Sequence, residues 1–172
     1  MSRTISVSEI AQIAVVAAIY AVMTICLAPL SYGAVQVRLS EVLMLLGIYR
    51  KRWCVSLIIG CMIANLFSGI AVDFLFGTAA TCIAAFLMLA IRKPLPASLI
   101  PAVINGLLIG AELRLFADVP FFLGMLGVAA GEIIAVSVIG LPMLRAAQKS
   151  DILCRLIGMP RRPRQNSADS VS

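Results

Sequence analysis

The chain is built from long apolar stretches separated by short polar ones. Uncharged apolar runs cover residues 10–30, 53–72, 74–91 and 94–111, each at or near the ~20 residues a helix needs to cross the hydrocarbon core. A fifth run, 119–144, is interrupted once, by Glu132. A bilayer tolerates such a residue when it faces a bundle interior or a cavity, so this run also predicts a span. The stretch 39–49 is apolar apart from Ser40 and Glu41. Rising about 1.5 Å per residue, an α-helix of that length covers only about half of a ~30 Å core. It is therefore expected as a short helix extended by Val35 and Val37. The pattern predicts an all-α integral membrane protein with six transmembrane helices, the second of them short.

Composition supports this reading: 62% of the 172 residues are hydrophobic and 13% charged, with a mean hydropathy of +1.06, too apolar for an ordinary soluble domain. The first apolar run exceeds the 7–15 residues usual in a signal peptide and is expected to be retained. Cys26, Cys54, Cys61, Cys82 and Cys154 are odd in number, scattered and without a CxxC pair. They are expected as small apolar packers, with no disulfide framework and no metal site. The sequence contains no histidine and no GxxxxGK[ST] motif, which excludes histidine-metal chemistry, a histidine triad and ATP hydrolysis through a P-loop. No internal repeat of the inverted-transporter kind is visible, and no cofactor is implied.

Charge adds an orientation. With the amino terminus inside, twelve basic residues lie on the cytoplasmic side: Arg3, Arg50, Lys51, Arg52, Arg92, Lys93, Arg145, Lys149, Arg155, Arg161, Arg162 and Arg164. Only Arg38 and Arg114 are left for the other side, so both termini are expected in the cytoplasm. The net charge of +6 is then a topology signal and implies no nucleic-acid partner. The expected organisation is a cytoplasmic amino terminus (1–8), a six-helix membrane domain (9–145) and a basic cytoplasmic tail (146–172) with a disordered end near anionic headgroups. The acids Glu41, Asp73, Glu112, Asp118 and Glu132 fall in the outer half or at mid-depth. That asymmetry favours a cationic ligand entering from outside, provided the carboxylates are ionised.

The polar positions converge on the same half. Residues 29–41, PLSYGAVQVRLSE, follow a helix stop at Pro29 and a turn at Tyr32-Gly33. Val35, Val37 and Leu39 then alternate with Gln36, Arg38 and Ser40, the pattern of an extended segment folded over the bundle as a partial lid. Asn65, Asp73, Thr78, Asn105, Glu112 and Glu132, from four helices, together with Gln36, Arg38 and Glu41, are candidates to line one outward-facing pocket. Asn105 and Glu112 are seven residues apart and share a helix face. Position alone also permits Asp73, Asp118 and Arg114 to be solvated boundary residues, and Asn65 and Asn105 to be interhelical hydrogen-bond donors. Carboxylates at the depth of Glu112 and Glu132 are costly enough to favour function.

Gly106/Gly110 and Gly127/Gly131 form GxxxG pairs, and Ala14/Ala18 and Ala17/Ala21 form the small-xxx-small equivalent, all suited to close helix packing. The first helix carries no strongly polar residue after Gln12 except Thr24, and its smooth alanine face suits another helix, within the bundle or in a partner.

The segment PLSYGAVQVRLSE, then GCMIANLFSG, Asp73, FGTAAT at 76–81, NGLLIGAEL at 105–113 and GE at 131–132 together resemble the QueT family, over roughly residues 9–145. Its members are substrate-binding S components of energy-coupling factor (ECF) transporters associated with queuosine precursors. The resemblance implies a six-helix S component in a bacterial plasma membrane, with a transmembrane coupling subunit and two ATPase subunits as partners. It implies a 7-deazaguanine ligand carrying a cyano or aminomethyl group, and an Ala14/Ala18 surface that docks on the coupling subunit. For such a ligand, Glu41, Glu112 or Glu132 would accept from N1–H and the 2-amino group. Arg38, Asn65, Asn105 or Gln36 would donate to O6, Tyr32 or a phenylalanine would stack on the ring, and Asp73 would pair with an ammonium.

Three other readings stay open on residues alone: an S component for another small molecule such as a vitamin or purine, a standalone proton-coupled carrier using Glu132, and a membrane enzyme. The enzyme reading wants its acids at the cytoplasmic face, the opposite of their distribution here.

Overall fold

A computed structural model describes residues 6–28, 37–68 and 71–161. These are helical, with no strand among the described residues. Helix α1, Val7–Cys26, begins with a capping box: the Glu9 amide donates to the Ser6 hydroxyl and the Ser6 amide to the Glu9 carboxylate, which satisfies two of the amides a helix start leaves open. Its Ala17, Tyr20 and Ala21 are buried. A β-carbon on Gly60 would lie 2.8 Å from both the Ala17 carbonyl oxygen and the Tyr20 β-carbon, so only glycine lets α1 approach α3, Lys51–Leu66, this closely.

Helix α2, Leu39–Ile48, is wound as a 3-10 helix over all 10 of its residues. At about 2.0 Å per residue it reaches about 20 Å, where an α-helix would reach about 15 Å. The overwinding lengthens the element that the apolar pattern left too short. It starts at Leu39, so Val37 is outside it, and Val35 lies outside the described residues. The threefold repeat puts Glu41, Met44 and Gly47 in one buried row.

Helix α4, Ala71–Ile91, runs unbroken through Asp73, which sits in its first turn. Helix α5, Pro94–Phe116, is interrupted at Leu99, between a first turn holding Pro94 and Pro96 and the main segment from Ile100. Pro101 supplies no amide to the preceding turn, which accounts for the break. Helix α6, Phe121–Ala147, widens into π winding over Ile133–Gly140, just after Glu132 and just before Pro142. A wide turn is one way a helix accommodates the proline ring that would otherwise clash with the carbonyl four residues earlier.

Helices α1, α5 and α6 and residues Val72–Ile91 of α4 are long and apolar enough to cross a membrane; α2 and α3 are shorter. Large aliphatic side chains such as Val15, Ile63, Leu87, Leu107, Leu126 and Val138 point outward, as expected of a surface solvated by lipid. The glycine contacts at the α5–α6 seam come from Gly106, Gly110 and Gly124. A β-carbon on Gly110 would stand 2.9 Å from Met125 backbone atoms, and Gly124 faces Leu113 and Gly110.

The chain after α6 folds back onto the bundle, where the sequence suggested only a tail. Ser150 caps α7, Asp151–Ile157, and Gly158 ends it in the left-handed region, φ 79°. The Trp53 indole donates to the Ile157 carbonyl and the Arg52 guanidinium to the Leu156 carbonyl, both at 2.8 Å. Cys154 and Met159 are buried beneath. The basic residues Arg50 and Arg52 are thereby drawn to the same end of the bundle as Arg145 and Arg161.

Candidate functional site

The overwound start of α2 brings Arg38, Ser40 and Glu41 into the bundle, all buried. Glu41 is completely inaccessible. The Tyr20 hydroxyl of α1 donates to Glu41 Oε1. One helical turn later, the Thr24 hydroxyl donates to the Tyr20 carbonyl at 2.9 Å, so the 2.6 Å contact between Thr24 and Ser40 has Ser40 as its donor. The first helix is thus polar on its inner face, where Tyr20 joins the Thr24 that the sequence already marked. Tyr20 and Thr24 continue the Ala17, Ala21 stripe at i, i+3, i+4 and i+7, a register the sequence displayed but in which Tyr20 was missed.

Across the site, Asn105 of α5 donates to Glu132 Oε1 of α6 at 2.5 Å. Asn65 of α3 donates to Cys61 Sγ at 3.3 Å, and the Thr81 hydroxyl of α4 donates to the same sulfur at 3.1 Å. Cys61 is therefore more than an apolar filler: as an acceptor it fixes the Asn65 carboxamide. Gly77 makes room for that carboxamide, since a β-carbon there would lie 2.5 Å from Asn65 Nδ2. Arg38 lies within electrostatic reach of Glu41, Glu112, Glu132 and Cys61. Glu112 and Asp73 also lie within electrostatic reach of each other, and a cation is attracted by both carboxyl groups.

The arrangement has one consistent property. Glu41, Asn65, Asn105 and Glu132 each place one polar atom on a neighbour and leave another open. Glu41 Oε2, Asn65 Oδ1, Asn105 Oδ1, Glu112 Oε2, Glu132 Oε2 and Thr78 Oγ1 are all buried with no hydrogen-bond partner among the described residues. Each buried acceptor left open costs roughly 1–3 kcal/mol, so several in one cluster mark a place built to receive donors. Among the sequence candidates, Arg38, Glu41, Asn65, Asn105, Glu112 and Glu132 are joined by these contacts, Asp73 joins through Glu112, and Thr78 adjoins Gly77. Tyr32 and Gln36 lie outside the described residues. Arg114 and Asp118 form an exposed ion pair at 3.6 Å, apart from the cluster. Tyr20, Ser40, Cys61 and Thr81 are additions that only the packing reveals.

The model of the QueT transporter family matches residues 10–149. The chain belongs to the QueT transporter family. The Queuosine precursor transporter QueT of Lactococcus lactis subsp. cremoris (strain MG1363) is 38% identical over 77 residues, 44% of this chain and 46% of that protein. The aligned stretch thus covers less than half of that relative. No solved structure matches. Membership and the long apolar helices together support a multi-pass membrane protein.

A groove of about 580 Å³ between α1, α2, α6 and α7 is lined by side chains such as Val15, Ile19, Leu46, Trp53, Met143 and Leu156. Despite its size it has few groups able to read a polar ligand, so the polar cluster is the better candidate for the transported molecule.

Proposed function

We propose that this QueT-family member is the substrate-binding S component of an ECF-type ATP-driven importer in the bacterial plasma membrane, and that it binds a queuosine precursor, 7-cyano- or 7-aminomethyl-7-deazaguanine. The observation that carries the ligand reading is the set of buried acceptors without partners. A 7-deazaguanine has donors on several edges: N1–H, the 2-amino group and N9–H. The aminomethyl form adds an ammonium. A carboxylate among Glu41, Glu112 and Glu132 accepts N1–H and the 2-amino group together, and the remaining carboxyl and carboxamide oxygens take the other donors. Arg38 is the donor suited to O6. The facing Glu112 and Asp73 carboxyls offer the site for an ammonium, which favours the aminomethyl form. Tyr32 and Gln36 remain proposed substrate-binding residues, Tyr32 for stacking on the ring and Gln36 as a further donor to O6.

The proposed orientation, with both termini in the cytoplasm, is supported by the clustering of basic residues. Energy is assigned to two ATPase subunits acting through a transmembrane coupling subunit, because this chain has no phosphate-binding loop of its own. Ala14 and Ala18 are exposed on α1 while Ala17 and Ala21 are buried. The small-residue register not used inside the chain is therefore the one available for the coupling subunit.

Equilibrium binding of 7-aminomethyl-7-deazaguanine, its 7-cyano analogue and guanine to the purified full chain in detergent tests the ligand reading. Tight binding without ATP, strongest for the aminomethyl form, is expected. A folded sample that binds none of the three overturns the substrate assignment.

A further inference from the structure

A second cavity, of about 330 Å³, lies at the basic end of the bundle between the start of α5, the end of α6 and the segment after α7. Its floor is the buried Leu141 and Leu144, with the exposed Leu95 beside them, and Arg145 and Arg161 border it. We propose that this cavity binds the phosphate of an anionic phospholipid, with part of an acyl chain on the leucine floor. The inference does not depend on the identity of the transported molecule.

Three observations support it. First, the basic residues Lys51, Lys93, Lys149, Arg155, Arg145 and Arg161 at this end are all exposed, which orientation alone explains. Arg145 and Arg161 differ in coming from two separate elements to border one cavity.

Second, Arg161 is brought there by folded structure. The left-handed turn at Gly158, the burial of Met159 and the indole bond from Trp53 to Ile157 hold the chain just before it. The Asp151 carboxylate accepts from Arg161 Nε at 3.0 Å, which orients the guanidinium and leaves its other N–H groups available. Gln148, also on the rim, is buried and donates to the Tyr49 hydroxyl at 3.4 Å.

Third, the cavity combines an apolar floor with a cationic rim at the ends of membrane-length helices. That is the depth at which a phospholipid passes from acyl chain to phosphate. Basic pockets between helices on the cytoplasmic side recognise anionic headgroups in this way, and the guanidinium fork matches a phosphate.

The test is retention of phosphatidylglycerol against phosphatidylcholine by the full chain in detergent, read by native mass spectrometry, with inorganic phosphate as a competing arm. Phosphatidylglycerol is expected to be retained preferentially. Arg145→Gln should lower its affinity about fivefold, and the Arg145→Gln/Arg161→Gln double variant about 25-fold. Asp151→Asn breaks the same ion pair as Arg161→Gln but keeps both arginines, and should retain the lipid. Equal retention of the two lipids, unchanged affinity in Arg145→Gln, or loss in Asp151→Asn matching that in Arg161→Gln each overturns the proposal. Displacement of phosphatidylglycerol by millimolar inorganic phosphate reassigns the cavity to a soluble phosphate and overturns the lipid assignment.

Discussion

Gly77→Ala is the sharpest test of the polar cluster, because its first effect is confined to one side chain. The added β-carbon would stand 2.5 Å from Asn65 Nδ2 and 3.3 Å from Asn65 Cγ, about an ångström inside ordinary contact with the amide nitrogen. The nearest atoms belong to a side-chain tip and not to backbone, so the carboxamide turns away while α3 and α4 stay packed. Turning breaks its bond to Cys61 Sγ and removes Oδ1 from the site. The lost bond to sulfur is weak, so folding stability should fall by no more than about 1 kcal/mol. Ligand binding suffers more, because a buried donor on the ligand then lacks its acceptor, at a cost of roughly 1–3 kcal/mol. Affinity for 7-aminomethyl-7-deazaguanine should fall about 5- to 150-fold, measured by equilibrium binding in detergent alongside thermal unfolding. In an Asn65→Ala background, Gly77→Ala should have little further effect, since its only mediator is gone. Wild-type affinity in Gly77→Ala, or additive losses in the double variant, would refute the assignment of Asn65 Oδ1 to the ligand.

Glu112→Gln and Glu132→Gln, tested singly, should each leave a folded bundle and weaken ligand binding at least tenfold, since each loses a charged acceptor worth about 1.5–3 kcal/mol; loss of folded protein would assign the residue a structural role. Glu112→Gln should discriminate further, costing the aminomethyl ligand more than the cyano ligand in the same assay, because the ammonium loses half of the Glu112–Asp73 pair. Tyr20→Phe removes the donor to Glu41 Oε1 and should lower affinity about tenfold with a smaller change in unfolding temperature; unchanged binding would remove Glu41 from the site. Ala14→Leu/Ala18→Leu should leave binding by the isolated chain intact and reduce ATP-dependent uptake in cells with the energising subunits, a split that equal loss in both assays would contradict.

Much of the architecture was legible because bilayer constraints act on composition. The long apolar runs, the interruption at Glu132 and the segregation of basic residues follow from the cost of placing charge in hydrocarbon, which any sequence must respect. What escaped was set by winding and by pairing. The stretch at 39–49 looked too short because an α-helical rise was assumed, and nothing in the order Leu-Ser-Glu-Val-Leu-Met announces a 3-10 helix. Residues 151–157 looked like part of a tail because their apolar face, Leu153, Leu156 and Ile157, is too brief to stand out. It becomes structure through the Trp53 and Arg52 bonds, which span about a hundred positions.

The site was legible as a set of residue types and obscure as a mechanism. Asn105, Glu112 and Glu132 stand out because polar groups are expensive at their depth. Tyr20, Cys61 and Thr81 do not, because each is also an ordinary occupant of an apolar core. Yet Tyr20 and Cys61 decide which atoms of Glu41 and Asn65 remain open. Without the Tyr20 hydroxyl, Glu41 would present two equivalent oxygens free to turn; with it, one oxygen is held and the other is aimed. Cys61 does the same for Asn65, and Asn105 for Glu132. On the proposed function, selectivity for a donor-rich ring would rest on the modest residues that hold the acidic and amide groups as much as on those groups themselves. A substitution at Tyr20 or Cys61 that conserves volume should be quiet in stability and audible in binding, the reverse of what their burial alone implies.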